Sequence, residues 1–249
     1  MKRLAFLLLF GVVLLAADCN DDNVQPTQTG MLELTFKGTY GADPLVMYTR
    51  DYSYEAGMKL KLQLFRFYLS NLTLSGDTKL SDVEIVDFEK IQTDAAAQQG
   101  ITIRFQNVPA KDYSNLQFGV GVASNLNKTT PGDYSPGSPL SDNYWSAATG
   151  YVFTKIEGNA DIDGDGVFND KLTFHSGADQ LYRTRDFNKN FTVKAGETTR
   201  LNFEVDLRKV LIKSDTDFLD FRKVTIDHTN NMQVATFISD NLANAIVLK

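Results

Sequence analysis

From Met31 the chain alternates, with apolar Leu32, Leu34 and Phe36 separated by polar Glu33, Thr35 and Lys37. A period of two belongs to a strand with one buried and one wet face. The same period returns at Ile101, Ile103 and Phe105, and again at Leu201, Phe203, Val205 and Leu207. Within Leu60–Leu74 the apolar set changes parity, from Leu60, Leu62 and Leu64 to Phe65, Phe67 and Leu69. One flat strand cannot bury both sets against one core, so this segment predicts a bulge or a strand covered on both faces. Shorter strands are expected at 83–88, 116–122, 151–157, 172–175 and 191–193. Helical spacing is sparse. Asp206–Leu211 allows a turn or two, and Ala235, Ile238, Leu242 and Ala245 favour a C-terminal helix. The predicted fold is all-β: an antiparallel β-sandwich with a few short helices. No repeat and no second composition regime divides it, so one folded domain over 31–249 is expected. The loop from Ser124 to Asn143 carries Pro131, Pro136 and Pro139 and leads into Trp145. A loop of that length is functional or disordered, and its destination favours function.

Composition adds a partner class to exclude and a location. A hydrophobic content of 43% supplies an ordinary core. The net charge of −6 and the lack of a basic stripe exclude a nucleic-acid partner, because phosphate binding needs clustered cations. Lys2 and Arg3 precede an apolar run, Leu4–Ala17, too short to span a bilayer comfortably. Residues 1–18 therefore read as a secretory signal. Leu15-Ala-Ala-Asp-Cys19 resembles the lipoprotein cleavage site of bacteria, although Asp18 replaces the usual small residue. Cys19 is the one cysteine of an exported chain and has no disulfide partner, and lipidation gives it a use. Residues 19–30 read as the lipidated cysteine and a flexible tether, and Asn20-Asp-Asp22 looks like the acidic tag of surface lipoproteins in Bacteroidota-type bacteria. The expected location is the outer membrane, at the cell surface or the periplasmic face, with the membrane itself as a partner through the lipid anchor.

Two stretches carry candidate chemistry. In Asp161-Ile-Asp-Gly-Asp-Gly-Val-Phe-Asn-Asp170, three aspartates (Asp161, Asp163, Asp165) take the first, third and fifth places of a calcium loop. Gly166 makes the turn, Val167 offers its carbonyl, and Asn169 takes the ninth place. The twelfth place is Leu172 instead of a bidentate glutamate, so Asp170, Glu157 or another carboxylate has to close the shell. An Asp-Gly-rich hairpin turn would look similar. Against that stands the crowding of five carboxylates between Lys155 and Lys171 with no basic residue among them, which a cation would relieve. A structural calcium ion is expected.

The second stretch is Tyr144-Trp-Ser-Ala-Ala-Thr-Gly-Tyr-Val-Phe-Thr-Lys-Ile-Glu-Gly158. With Phe65-Arg-Phe-Tyr-Leu-Ser-Asn-Leu72, Tyr113-Ser-Asn-Leu-Gln-Phe-Gly-Val-Gly121, Asn127 and Phe174-His-Ser-Gly177, it resembles the MbnP-like domain family in order and approximate spacing. The resemblance implies an exported β-sandwich related to copper-handling lipoproteins. It further implies that a tryptophan is oxidised to kynurenine by a partner di-haem enzyme and then binds copper with histidine. Indole offers a metal no lone pair, whereas an opened ring provides an aromatic amine. Carried onto this sequence, Trp145 is the candidate for modification, His175 and His228 the candidate imidazoles, and Met232 follows His228. The sequence departs from the family in having no histidine beside Trp145 and in placing Ala147 where many relatives carry a second tryptophan. The plain alternatives are a rim aromatic for Trp145 and hydrogen-bonded histidines without a ligand role.

Other classes fit less well. Two histidines, no His-Glu-x-x-His, no Gly-x-Ser-x-Gly and no dinucleotide fingerprint leave zinc-hydrolase and nucleophilic schemes without parts, so no catalytic residue is assigned. Paired carboxylates for glycoside hydrolysis remain a minor enzyme reading. The competing reading is a calcium-stabilised surface module without copper, binding a protein, glycan or haem partner around Trp145. A metal site predicts that Trp145, His175 and His228 converge, whereas a binding module predicts an exposed Trp145 and scattered histidines.

Overall fold

The computed structural model describes residues 27–249. The expected signal segment, Cys19 and most of the tether lie outside the described residues.

The alternation at Met31 belongs to the strand Thr29–Tyr40, whose even positions are all buried. Thr29 and Gly30, expected in the tether, are already strand residues: Gly30 pairs with Val108, and Met31 N donates to Glu197 O at 2.9 Å. This strand joins Thr198–Asp206 on one side and Ile101–Pro109 and Asp43–Pro44 on the other, with Ile246–Leu248 completing a five-stranded sheet. The second sheet has eight strands, ordered along its main path Arg183–Val193, Lys111–Val120, Lys59–Leu74, Thr154–Asp161, Asp170–Ser176 and Ile226–Asp227. Asp51–Ser53 and Thr78–Asp87 also pair with Lys59–Leu74. Most pairings are antiparallel, as expected. Two are parallel: Thr29–Tyr40 with Thr198–Asp206, and Asp170–Ser176 with Ile226–Asp227. In both, the partners are distant in sequence, so no tight turn imposes an antiparallel return.

The parity change in Leu60–Leu74 is a bulge. Against Thr154–Asp161 the register jumps from Leu64 opposite Glu157 to Leu62 opposite Gly158, leaving Gln63 as the extra residue. A Cβ on Gly158 would lie 2.4 Å from Lys61 O, so the close approach needs glycine. A second irregularity falls at Asn71, where φ is 53°. Both parities are thereby buried, with Leu60, Leu62, Phe65, Phe67 and Leu69 all fully enclosed.

The alternation ending at Leu207 overruns its strand by one residue. Asp206 turns the chain into the short helix Leu207–Leu211 by accepting from Arg208 N. The C-terminal helix is Met232–Ala245, capped by Asn231, whose side chain accepts from Gln233 N and Val234 N. Among the described residues no helix is long and apolar enough to cross a membrane.

Four phenylalanines join the sheets. Phe36 and Phe203, from neighbouring strands of the five-stranded sheet, stack at 4.8 Å between centroids, and Phe203 meets Phe118 and Phe187 of the other sheet at 5.8 and 5.1 Å. Phe203 is buried at the centre of this group. Replacing it with alanine removes contacts to both sheets, and the loss expected is about 3–5 kcal/mol. Urea unfolding of Phe203→Ala checks this through a lower midpoint at unchanged slope.

Candidate metal centre

The ladder between Thr154–Asp161 and Asp170–Ser176 carries a candidate site at each end. At one end His175 sits directly opposite Lys155, on the sheet face turned away from the phenylalanine core. The neighbouring edge strand Ile226–Asp227 runs parallel to it, with Phe174 opposite Asp227, and so delivers His228 beside His175. A set of hydrogen bonds fixes the connection. The buried carboxylate of Asp227 accepts from Thr229 N at 3.1 Å and from Asn231 N at 2.8 Å. Thr229 Oγ1 donates to His175 O at 3.1 Å and accepts from Gly177 N at 3.0 Å. The two imidazole centroids end 4.9 Å apart.

Trp145 reaches the same place from the short hairpin that pairs Tyr144 with Tyr151 and Ser146 with Gly150. Asn127 holds this hairpin down: its Oδ1 accepts from Tyr151 N at 2.8 Å, and its Nδ2 donates to Asp179 Oδ1 at 2.8 Å. Gly150 has φ 73°, and a Cβ there would lie 2.2 Å from Asn127 Oδ1. The loop from Ser124 to Asn143 is built of three short helical turns with Leu140 buried. The indole lies 5.0 Å from the His228 ring and 6.1 Å from the His175 ring. The three rings named from the sequence thus converge, although Trp145 remains 51% exposed. With Tyr151, Gly177 and Thr229 they line a recess of about 20 Å³, room for about one water-sized sphere.

The nitrogen atoms are the informative part. Nδ1 of His175 and Nδ1 of His228 are both buried and have no hydrogen-bond partner among the described residues. Most buried polar atoms have one, and here two that lack it belong to adjacent imidazoles. Burial pushes the His175 imidazole below the ordinary histidine value, against the opposing pull of Glu157. Desolvation disfavours the charged ring, and a neutral imidazole carries one nitrogen lone pair. Met232 is not part of this group; its sulfur accepts from Gln180 Nε2 at 3.1 Å.

At the other end of the ladder the acidic loop closes on itself. Asp161 is fully buried, and its two carboxylate oxygens accept from Gly164 N at 2.8 Å and Gly166 N at 3.0 Å. Asp163 and Asp165 accept from Asp165 N and Val167 N. One oxygen from each of Asp161, Asp163 and Asp165 lies within 4.8 Å of the others. Asp170 opens the returning strand opposite Ala160 and stands outside this group. Leu172, at the twelfth place of the loop pattern, is in the core, and Glu157 stands at the middle rung of the ladder, opposite Thr173, with Oε1 2.7 Å from His175 Nε2. That contact was missed in the sequence, although strand parity carries the signal. Lys155 faces His175, so Glu157, two residues on, shares its face.

The comparisons agree with this architecture. No curated protein sequence matches the chain. A solved structure, MbnP from Methylosinus trichosporium, superposes with a TM-score of 0.55 at 16% identity, covering 89% of this chain and 98% of that one. At that identity the likeness establishes a shared fold. The MbnP family model matches residues 29–234, from the first strand into the start of the C-terminal helix, and the chain belongs to the MbnP family.

Proposed function

We propose that the protein is an exported, lipid-anchored metal-binding protein that takes copper at the Trp145, His175 and His228 cluster. The observation that carries this reading is the pair of adjacent imidazoles whose Nδ1 atoms are buried without partners. Imidazole nitrogen is a suitable donor for copper, and among the described residues the lining of the recess includes no carboxylate, the Glu157 carboxylate lying against the Nε2 side of His175. Trp145 as encoded offers an indole N–H and no lone pair. Oxidation to kynurenine, by a di-haem partner as the family resemblance implies, adds an aromatic amine beside the two imidazoles. Export and anchoring at Cys19 rest on the N-terminal charge, apolar run and cysteine.

In the same reading the acidic loop holds a structural calcium ion through Asp161, Asp163, Asp165, the Val167 carbonyl and Asn169, with Asp170 nearest in sequence to complete the shell. The support is the buried, pre-oriented Asp161 carboxylate among converging oxygens. The half-exposed Trp145 also suits the alternative, a calcium-stabilised module that binds a protein, glycan or haem partner without copper.

The copper titration separates these readings, and a calcium measurement tests the loop they share. The chain has one tryptophan, 5.0 Å from His228, so copper entering the recess quenches its fluorescence. His175→Ala and His228→Ala are each expected to weaken copper binding by more than about 100-fold, beyond the range seen when only an outer partner of a ligand is lost. Unchanged titration curves in both variants would reject copper and leave the surface module. For the loop, adding calcium at about 100 times its dissociation constant stabilises the fold by about 2.7 kcal/mol. The expected result is a higher Tm with calcium than with chelator, abolished in Asp161→Asn together with Asp163→Asn.

A further inference from the structure

Glu157 and His175 share one face of the sheet and meet at 2.7 Å, Oε1 to Nε2, with side chains 31% and 13% exposed. A carboxylate only accepts hydrogen bonds, so this contact requires the hydrogen on Nε2. A neutral imidazole then has its lone pair on Nδ1, and Nδ1 is the buried, unpartnered atom of a ring that lines the recess. A simple ion pair accounts for the Glu157 contact, but it places a hydrogen on both ring nitrogens. It leaves unexplained why the second nitrogen is buried beside another imidazole with no acceptor to meet it. Metal-bound histidines commonly donate their remote N–H to a carboxylate, which fixes the tautomer and makes the ligand nitrogen more basic.

We infer that Glu157 is a positioning residue that holds His175 as the Nε2–H tautomer and so makes Nδ1 the atom offered to a metal ion. The inference rests on the metal-binding reading above and adds which nitrogen binds and what selects it. It also gives Glu157 a duty separate from the acidic loop, four residues further along the same strand.

The test reads the tautomer directly and needs no metal. With two histidines in the chain, protein labelled with ¹⁵N-histidine gives two ring systems in long-range ¹H–¹⁵N correlation spectra. The metal-free wild type is expected to show His175 with protonated Nε2 and bare Nδ1. Glu157→Gln keeps an acceptor oxygen and is expected to keep this pattern. Glu157→Ala and Glu157→Leu, which have none, are expected to give a mixed or reversed tautomer at His175 with His228 unchanged. In copper titrations the two non-accepting variants are expected to bind about 10–100-fold more weakly, with Gln close to wild type. A wild-type His175 protonated on Nδ1, or a tautomer unaffected in every Glu157 variant, overturns the inference. A wild type that shows the expected tautomer and binds no copper overturns the proposed function instead, and the two failures are read from different spectra.

Discussion

The register of one antiparallel ladder sets the chemistry of this chain. With Lys155 opposite His175 and Ala160 opposite Asp170, Ile156, Leu172 and Phe174 point into the core and are fully buried. A slip of one residue would exchange the faces, driving His175 and Glu157 inward and the apolar set into water. The apolar set decides the matter. Burying each large apolar side chain contributes about 1.5–3 kcal/mol, whereas a partly exposed carboxylate–imidazole contact contributes about 1 kcal/mol or less. The candidate ligands therefore go where the core sends them. On its other edge the same strand packs closely on Lys59–Leu74 at Gly158, where any side chain would collide with the backbone of Lys61.

Holding three rings together demands backbone conformations that cost energy. Thr229 has φ 64° and Asn143 has φ 60°. Asparagine tolerates this region, but a β-branched residue does not. Strain of about 1–3 kcal/mol at such a residue persists only when its surroundings over-determine it. They do at Thr229, where the backbone N–H is held by Asp227 and the hydroxyl bridges His175 O and Gly177 N. Relaxing Thr229 to an ordinary conformation would break those contacts and carry His228 away from His175. The strained residue adjoins a proposed ligand, the usual place for strain that serves a site.

Much of the fold was legible because burial follows parity. Leu32 to Phe36, Ile101 to Phe105 and Leu201 to Val205 each lie in the strands their alternation predicts, and the parity change after Leu64 marks a real bulge. Arg183–Val193 was recognised only at its end, since as an edge strand it has few buried positions. The parallel pairings were invisible, because register between strands distant in sequence leaves no local signal. At the site, Trp145, His175 and His228 could be named but their meeting could not. It depends on a two-residue edge strand, Ile226–Asp227, and on the Thr229 staple, and neither has a periodicity to detect. Glu157 was one of several carboxylates open to the loop by proximity in sequence, whereas strand parity places it with His175.

The two ends of the ladder differ in the donors they offer, and their separation keeps them independent electrostatically. Carboxylate and carbonyl oxygens in the turn suit a hard divalent cation, and imidazole nitrogen at the other end suits a borderline metal. From Lys155 to Asp161 the strand rises about 20 Å at about 3.4 Å per residue. That is more than twice the screening length of about 8 Å at physiological ionic strength, so charge placed at one end has little effect at the other. Whatever couples the ends must pass through the ladder as mechanical constraint. An ion held in the turn, as proposed, would keep the rungs from fraying, and the rung at Lys155 and His175 is the one that carries a candidate imidazole.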